Sequence, residues 1–462
     1  MGPLNRRKFL YGSLLAPFAS ALSSCSAQEP LPPGSRVIVV GAGFAGLTAA
    51  RQLQTDGYEV VVLEAQEKIG GRANTDVSLG ANVDLGASWL HGGPGNPLKA
   101  IAKHHGITSF GSDYSNGLLF QNDVAGAAPT EIADVVSGPV SEELEAAISG
   151  PLLKLVAART AGLEVSNVSM EDVFARMEAG GATSLALKVQ RLLLESYAAS
   201  PLGDLGIAAA LTESVTGSDQ DSAEQFVTGG MSKLLAVVAG KLDVRFGAKV
   251  DQIDYSPTGC RVIVGESSFA ADAVIVTTSI GVIKTGSLKF NPRLPEVHQR
   301  ALNFLDMGTM NKVALKFPRA SWPDKDFFFV SGALCSSFWN LDRYAGAPIL
   351  VGLAGGPRAL QLEGMSVDER VGRTLQDLRA ALGPLPEPAG ALTTAWLSNP
   401  HTLGAYSRMN PGASGLEREV LSQPIASRVF LAGEAIHSTD PSTVHGAYWS
   451  GLRAATQISG AA

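Results

Sequence analysis

Residues 36–72 constrain this chain more tightly than any other stretch. Arg36-Val-Ile-Val-Val40 is a short apolar run rich in β-branched residues, the pattern of a strand buried in a parallel sheet. It leads straight into Gly41-Ala-Gly43-Phe-Ala-Gly46, and then into Leu47-Thr-Ala-Ala-Arg-Gln-Leu53, which reads as a helix. In such a unit the first glycine permits the tight turn and the second lets a pyrophosphate approach the backbone. The third lets helix and strand pack closely, with the phosphates at the helix N-terminus. A second apolar strand, Glu59-Val-Val-Val-Leu63, ends at Glu64. That acid lies about 20 residues beyond the glycines, where it is placed to hydrogen-bond a ribose hydroxyl.

The fingerprint alone does not choose between NAD and FAD. The next segment, Lys68-Ile-Gly70-Gly71-Arg72, brings backbone and a guanidinium fork to the far side of the pyrophosphate. A plain Gly-Gly turn with a solvated arginine is the alternative. The segment resembles the G-G-R of the glutathione-reductase-like flavoproteins, which nicotinamide dehydrogenases usually lack. That resemblance implies FAD.

The chain has 462 residues, 45% apolar and 17% charged, which describes a well-buried globular protein rather than a disordered one. A net charge of −7 without a dense Lys/Arg cluster beyond the N-terminus argues against nucleic acid as a partner. It mildly favours a cationic substrate. Residues 1–33 are set aside as export signal and linker. Asn5-Arg6-Arg7-Lys8-Phe9-Leu10 looks like a twin-arginine export signal, and the apolar run that follows is too short to span a bilayer. This route carries folded proteins, which suits an enzyme that takes up its flavin before export. Leu22-Ser-Ser-Cys25 resembles a lipobox, so a lipid anchor at Cys25 is expected, with Ala19-Ser-Ala21 a competing cleavage site. The expected location is periplasmic, soluble or held on the membrane as a lipoprotein. Cys260 and Cys335 could pair in an oxidising compartment, but their spacing implies neither metal nor redox chemistry.

The pattern beyond residue 72 predicts an α/β fold with its nucleotide domain in pieces. Asn96-Pro97 opens a helix, residues 141–211 are largely helical, and Gly229-Gly230 precedes another helix. Strands are expected at 250–255, 261–264, 273–277, 312–317, 327–330, 349–353 and 429–432. Dinucleotide-type strands at the start, middle and end assign 34–115, 226–285 and 407–462 to a discontinuous FAD-binding Rossmann domain. An α+β substrate domain, 116–225 and 286–406, is interleaved with it.

Several separate segments are similar to the flavin-containing amine oxidases, and among them to the polyamine and spermine oxidases. These are Asp84-Leu-Gly-Ala-Ser-Trp-Leu-His-Gly92 with Gly95-Asn-Pro97, Val274-Ile-Val-Thr-Thr-Ser-Ile-Gly-Val-Ile-Lys284, Gly308-Thr-Met-Asn-Lys312, Gly404-Ala-Tyr406 and Ser442-Thr-Val-His-Gly-Ala-Tyr448. Ser279 stands where the family usually has proline, and His401 where relatives often have tryptophan. The resemblance covers 36–458 and implies site residues one by one. Glu64 and Arg72 would bind ribose and phosphate, Ala87 and Ser88 would lie near the flavin, and Val250 would meet the adenine through its backbone. Glu434 would hold the ribityl chain, with Thr443 and Val444 at the pyrimidine end.

For catalysis the resemblance points to Lys312 near flavin N5 and to Tyr406 and Tyr448 as aromatics flanking the amine. His91 and Glu195 would hold a distal ammonium. Period-two patterning alone instead makes Lys312, Ala314 and Lys316 the wet face of a strand. The two tyrosines could equally be core, and Glu195 a solvated helical acid. Monoamine oxidases attach FAD to a cysteine where this chain has Ala405, so the flavin is expected to be non-covalent. The chemistry implied is oxidation of a di- or polyamine to an imine, then an aldehyde, with oxygen or another acceptor taking the electrons. L-amino acid oxidases and carotenoid desaturases share the first motifs, and a non-catalytic exported flavoprotein is a third alternative.

Overall fold

The computed structural model describes residues 29–92, 95–136, 147–148, 151, 154–155, 157, 167–179, 185–209 and 224–460. The arginine pair and Cys25 lie outside these residues, as does much of the helical stretch expected between 141 and 211. Its helices Met170–Ala179 and Leu185–Tyr197 are described. Among the described residues no helix is long and apolar enough to cross a membrane.

Arg36–Val40 forms the centre of a five-stranded parallel sheet, in the order Val244–Arg245, Glu59–Leu63, Arg36–Val40, Ala273–Val276, Val429–Leu431. Ile38 and Val40 pack into one core with Val274 and Val276; Val37 and Val39 pack into another with Leu47, Leu53 and Ala455. Burial on both faces is why the run is apolar throughout instead of alternating. The helices Phe44–Thr55 and Val444–Ser459 cover the second face together. They touch so closely at Gly451 that a Cβ there would stand 2.2 Å from the Ala45 carbonyl oxygen.

The larger second sheet has seven strands in the order Gly390–Thr393, Met310–Lys316, Ile349–Gly355, Ser337–Asn340, Phe327–Ser331, Gly117–Gln121, Thr130–Glu131. On Met310–Lys316 every residue from Asn311 to Leu315 is buried. Val313 and Leu315 meet the apolar stripe of the helix Val367–Leu382, while Ala314 shares a core with Val83, Leu85 and Phe226. The strand has no wet face at Lys312, which is only 3% exposed. Alternation misleads where a sheet is covered on both sides.

A small three-stranded sheet matters more than its size suggests. Trp89–Leu90 pairs antiparallel with Glu224–Val227, Trp89 opposite Phe226 and Leu90 opposite Gln225. Continuing that register brings His91 to Glu224. Ser109–Ser112 flanks the same strand with Ser112 opposite Glu224, so Tyr114 follows close behind.

Candidate active site

A cavity of about 1080 Å³ begins at the carboxyl ends of the parallel strands, the usual ligand position in such sheets. Gly41 follows Val40, Glu64 follows Leu63, Thr277 follows Val276, and Gly433 lies just beyond Leu431; all four line it. The glycines divide their work as the turn geometry requires. Gly41 has φ +105°, and a Cβ on Gly46 would stand 2.0 Å from the Gly41 carbonyl oxygen, so Gly46 serves close packing and does not line the cavity. A Cβ on Gly43 would meet nothing nearer than 3.7 Å, and one on Gly71 nothing within 4 Å; both residues border the cavity. The free space beside these two suits a dinucleotide lying against bare backbone.

Glu64 is buried, its oxygens accepting the Ala42 N–H at 2.7 Å and the Gln66 N–H at 2.9 Å. Arg72 donates to Glu434 at 2.6 Å and to the Ala405 carbonyl at 3.1 Å. Burial alone would raise the Glu434 carboxyl; the Arg72 and Arg418 charges and the Ser407 hydroxyl outweigh it and hold the group below its usual range. Val250, Ala87, Ser88, Thr443 and Val444 all line the cavity. Thr443 caps the helix Val444–Ser459 by accepting the Gly446 N–H, which leaves a helix N-terminus pointing at the site. Ala405 lines the wall, while the two free cysteines among the described residues, Cys260 and Cys335, are buried outside it and unpaired. The cradle therefore fits FAD along its length, and nothing at position 405 offers a thiol.

At the other end Lys312 lies against the cavity floor. Its Nζ donates to the Asp84 carbonyl at 2.8 Å, the Gly86 carbonyl at 2.5 Å and the Ser88 hydroxyl at 2.6 Å. The Trp339 and Trp89 rings stand 4.7 and 5.7 Å from it. Burial lowers its pKa and the Asp84 charge opposes that fall.

His91 Nδ1 lies 2.8 Å from Glu224 Oε1. The second carboxylate oxygen, Oε2, is buried without a well-formed hydrogen bond. Burial would raise this acid, but His91, the Tyr114 hydroxyl and the Lys99 charge together hold it below the usual range. Glu224 and Tyr114 both line the cavity. Neither was singled out by the sequence, since an isolated glutamate carries no signal until strand pairing places it beside His91.

Two expected catalytic residues lie elsewhere. On the helix Leu185–Tyr197 the cavity-lining residues Gln190, Leu193, Leu194 and Tyr197 form one i, i+3, i+4, i+7 stripe, with Ser196 at its edge. Glu195 falls on the opposite face and pairs with Arg358 at 3.0 Å. Tyr448 stands one turn into its helix, packs against the core around Leu47 and the edge of Trp449, and does not line the cavity. Tyr406 does, and its hydroxyl donates to the Tyr197 carbonyl oxygen at 2.5 Å. Tyr197 lines the same cavity and meets Tyr406 through its backbone carbonyl. The helical stripe could have revealed Tyr197 and excluded Glu195.

The family model for flavin containing amine oxidoreductases matches residues 44–459. Polyamine oxidase 2 of Arabidopsis thaliana is 33% identical over 436 residues, covering 91% of this chain and 87% of the relative. Lysine-specific histone demethylase 1 homolog 2 of the same plant is 32% identical over 447 residues, and the match spans 58% of that longer protein. A putrescine oxidase solved with putrescine shares the fold at TM-score 0.74 and 22% identity, over 92% of this chain and 98% of that one. The chain belongs to the flavin-containing amine oxidoreductases. It is an enzyme that oxidises amines with FAD.

Proposed function

We propose that the substrate is a di- or polyamine, and that the observation carrying this reading is Glu224, an acid in the cavity wall held in its charged form by His91, Tyr114 and Lys99. A wall carboxylate held in its charged form attracts a cation that enters the cavity, and a second ammonium on the substrate is such a cation. The names of the polyamine oxidase relatives and the putrescine in the structural neighbour support the same class.

Gly43, Gly71, Arg72 and Glu434 would hold FAD, which would supply the acceptor for a hydride from the carbon bearing the amine. Tyr406 and Tyr197 both line the cavity, and aromatic surface there favours the neutral amine over its charged form. Lys312 holds a proton donor at the floor, Glu434 and Arg72 fix the cradle, and Glu224 with His91 sets how deep the chain of the amine lies. The imine released is hydrolysed to an aldehyde and either a shorter amine, when a secondary amine is oxidised, or ammonia, when the amine is primary. With oxygen as acceptor the balance is one amine, one O2 and one water giving aldehyde, the released amine or ammonia, and hydrogen peroxide.

An amino acid substrate would need a cation for its carboxylate. The only arginine among the described lining residues is Arg72, already ion-paired with Glu434. The test is anaerobic mixing of the FAD-loaded enzyme with butylamine, putrescine, spermidine and L-amino acids, followed by peroxide detection in air. Flavin bleaching by the di- and polyamines is expected. Bleaching by amino acids alone would make this an amino acid oxidase, and no bleaching at all a non-catalytic flavoprotein.

The division into a glutathione-reductase-like FAD domain (34–115, 226–285, 407–462) and an interleaved substrate domain (116–225, 286–406) is our reading of the strand order. The same holds for export by Arg6 and Arg7 and for lipid attachment at Cys25.

A further inference from the structure

Asp84 ends the short strand Val83–Asp84, which pairs with Thr75–Asp76. Its Oδ1 accepts the Thr75 hydroxyl at 2.6 Å and the Met231 backbone N–H at 2.9 Å. The acid thereby closes the N-terminus of the helix Met231–Ala239. Its carbonyl oxygen accepts one proton of Lys312 Nζ. One residue thus anchors a strand and a helix start, and shapes the floor on which Lys312 rests.

Lys312 donates to three acceptors, two of them carbonyl oxygens that accept only. An ammonium donates to all three; a neutral amine would donate to the two carbonyls and accept the Ser88 hydroxyl proton, so the shell serves either form and the charges nearby decide between them. Burial opposes the charge, while the flanking Trp89 and Trp339 rings favour it. Among the described residues Asp84 is the ionisable group whose charge opposes the fall in the Lys312 pKa, and burial pushes the Asp84 carboxyl itself up to about 6. Glu224 and His91 are engaged with each other.

We propose that Asp84 is a positioning residue that keeps Lys312 an ammonium and fixes its aim through the loop from Asp84 to Ser88. This rests on the reading of Lys312 as the catalytic lysine. The carboxylate does two jobs: its hydrogen bonds hold the loop, and its charge keeps the proton on Nζ.

The two jobs are separable. Asp84→Asn keeps an oxygen able to accept both the Thr75 hydroxyl and the Met231 N–H, and loses only the charge. The experiment is the pH dependence of kcat with putrescine for the FAD-loaded wild type, Asp84→Asn, Lys312→Met and the double variant. Asp84→Asn is expected to keep FAD and a near-native KM. It should move the basic limb of kcat down by at least ~1 pH unit, a tenfold change in proton affinity. Lys312→Met and the double variant should share one profile without that limb. An unmoved limb in Asp84→Asn, or an equal shift in the Lys312→Met background, overturns the proposal. If the asparagine variant loses its flavin, Asp84→Glu decides: it keeps the charge and should restore the wild-type limb, and a shifted limb there also overturns it. A wild-type rate and profile in Lys312→Met sinks the catalytic reading of Lys312 itself, a result distinct from a slow Lys312→Met beside an unshifted Asp84→Asn.

Discussion

Replacing Glu224 by glutamine keeps the side chain's shape and an oxygen for His91, and removes the charge from a wall that a second ammonium would meet. The magnitude follows from the geometry. Glu224 is held by His91 and Tyr114, and its side chain is only 21% exposed, so water screens its charge only modestly. A hydrogen bond between charged groups contributes about 1.5–3 kcal/mol, or roughly 10- to 150-fold in affinity. The assay compares KM for putrescine with KM for butylamine, which has the same carbon chain and one amine. Provided substrate equilibrates before chemistry, Glu224→Gln should raise KM for putrescine about 10-fold or more and leave butylamine little changed. Glu195→Gln, which touches Arg358 and not the cavity, should leave the ratio intact. Equal weakening of both amines by Glu224→Gln would show that the acid only shapes the wall, and would remove the main support for a doubly charged substrate.

Lys312→Met should retain FAD yet slow flavin reduction or reoxidation by at least ~10-fold, about 1.4 kcal/mol of barrier; stopped-flow absorbance separates the half-reactions, and unchanged rates in both would refute the assignment. Acid precipitation should release all FAD into the supernatant because Ala405 has no thiol; yellow colour in the pellet would contradict a non-covalent site. The depressed Glu434 carboxyl contributes stability that is full above its unfolded pKa and lost as pH falls through the lower folded value. The melting difference between wild type and Glu434→Gln should accordingly shrink between neutral and acid pH. Changing Arg6 and Arg7 to lysine should trap folded, FAD-loaded protein in the cytoplasm, whereas Cys25→Ala should leave export intact and free the protein from membranes, as fractionation would reveal.

What the sequence made legible was local. Strand, turn, helix, strand and Glu64 fall within one contiguous unit, so pattern and spacing sufficed for them. Lys312 was legible only by likeness, because its strand is covered on both faces and alternation there carries no information. Glu195 was misplaced because a glutamate within a helix looks the same on either face until the apolar stripe is counted out to Tyr197. Tyr448 packs toward the core around Leu47 and not into the cavity, which its place in the sequence does not reveal. Glu224 and Tyr114 come from strands far from His91 in the chain, and only the register of the small sheet unites them.

The order of strands in the parallel sheet has a consequence for how the protein is made. Arg36–Val40 leaves the ribosome early, but its neighbour Ala273–Val276 follows more than half a chain later, and the edge strand Val429–Leu431 later still. Glu434, the acid that locks Arg72, comes after that strand. Nearly the whole chain must therefore be synthesised before the cradle can close, and pairing at such separations is intrinsically slow. Nascent chains should be unable to retain flavin, and cofactor capture should mark the completion of folding rather than guide its beginning.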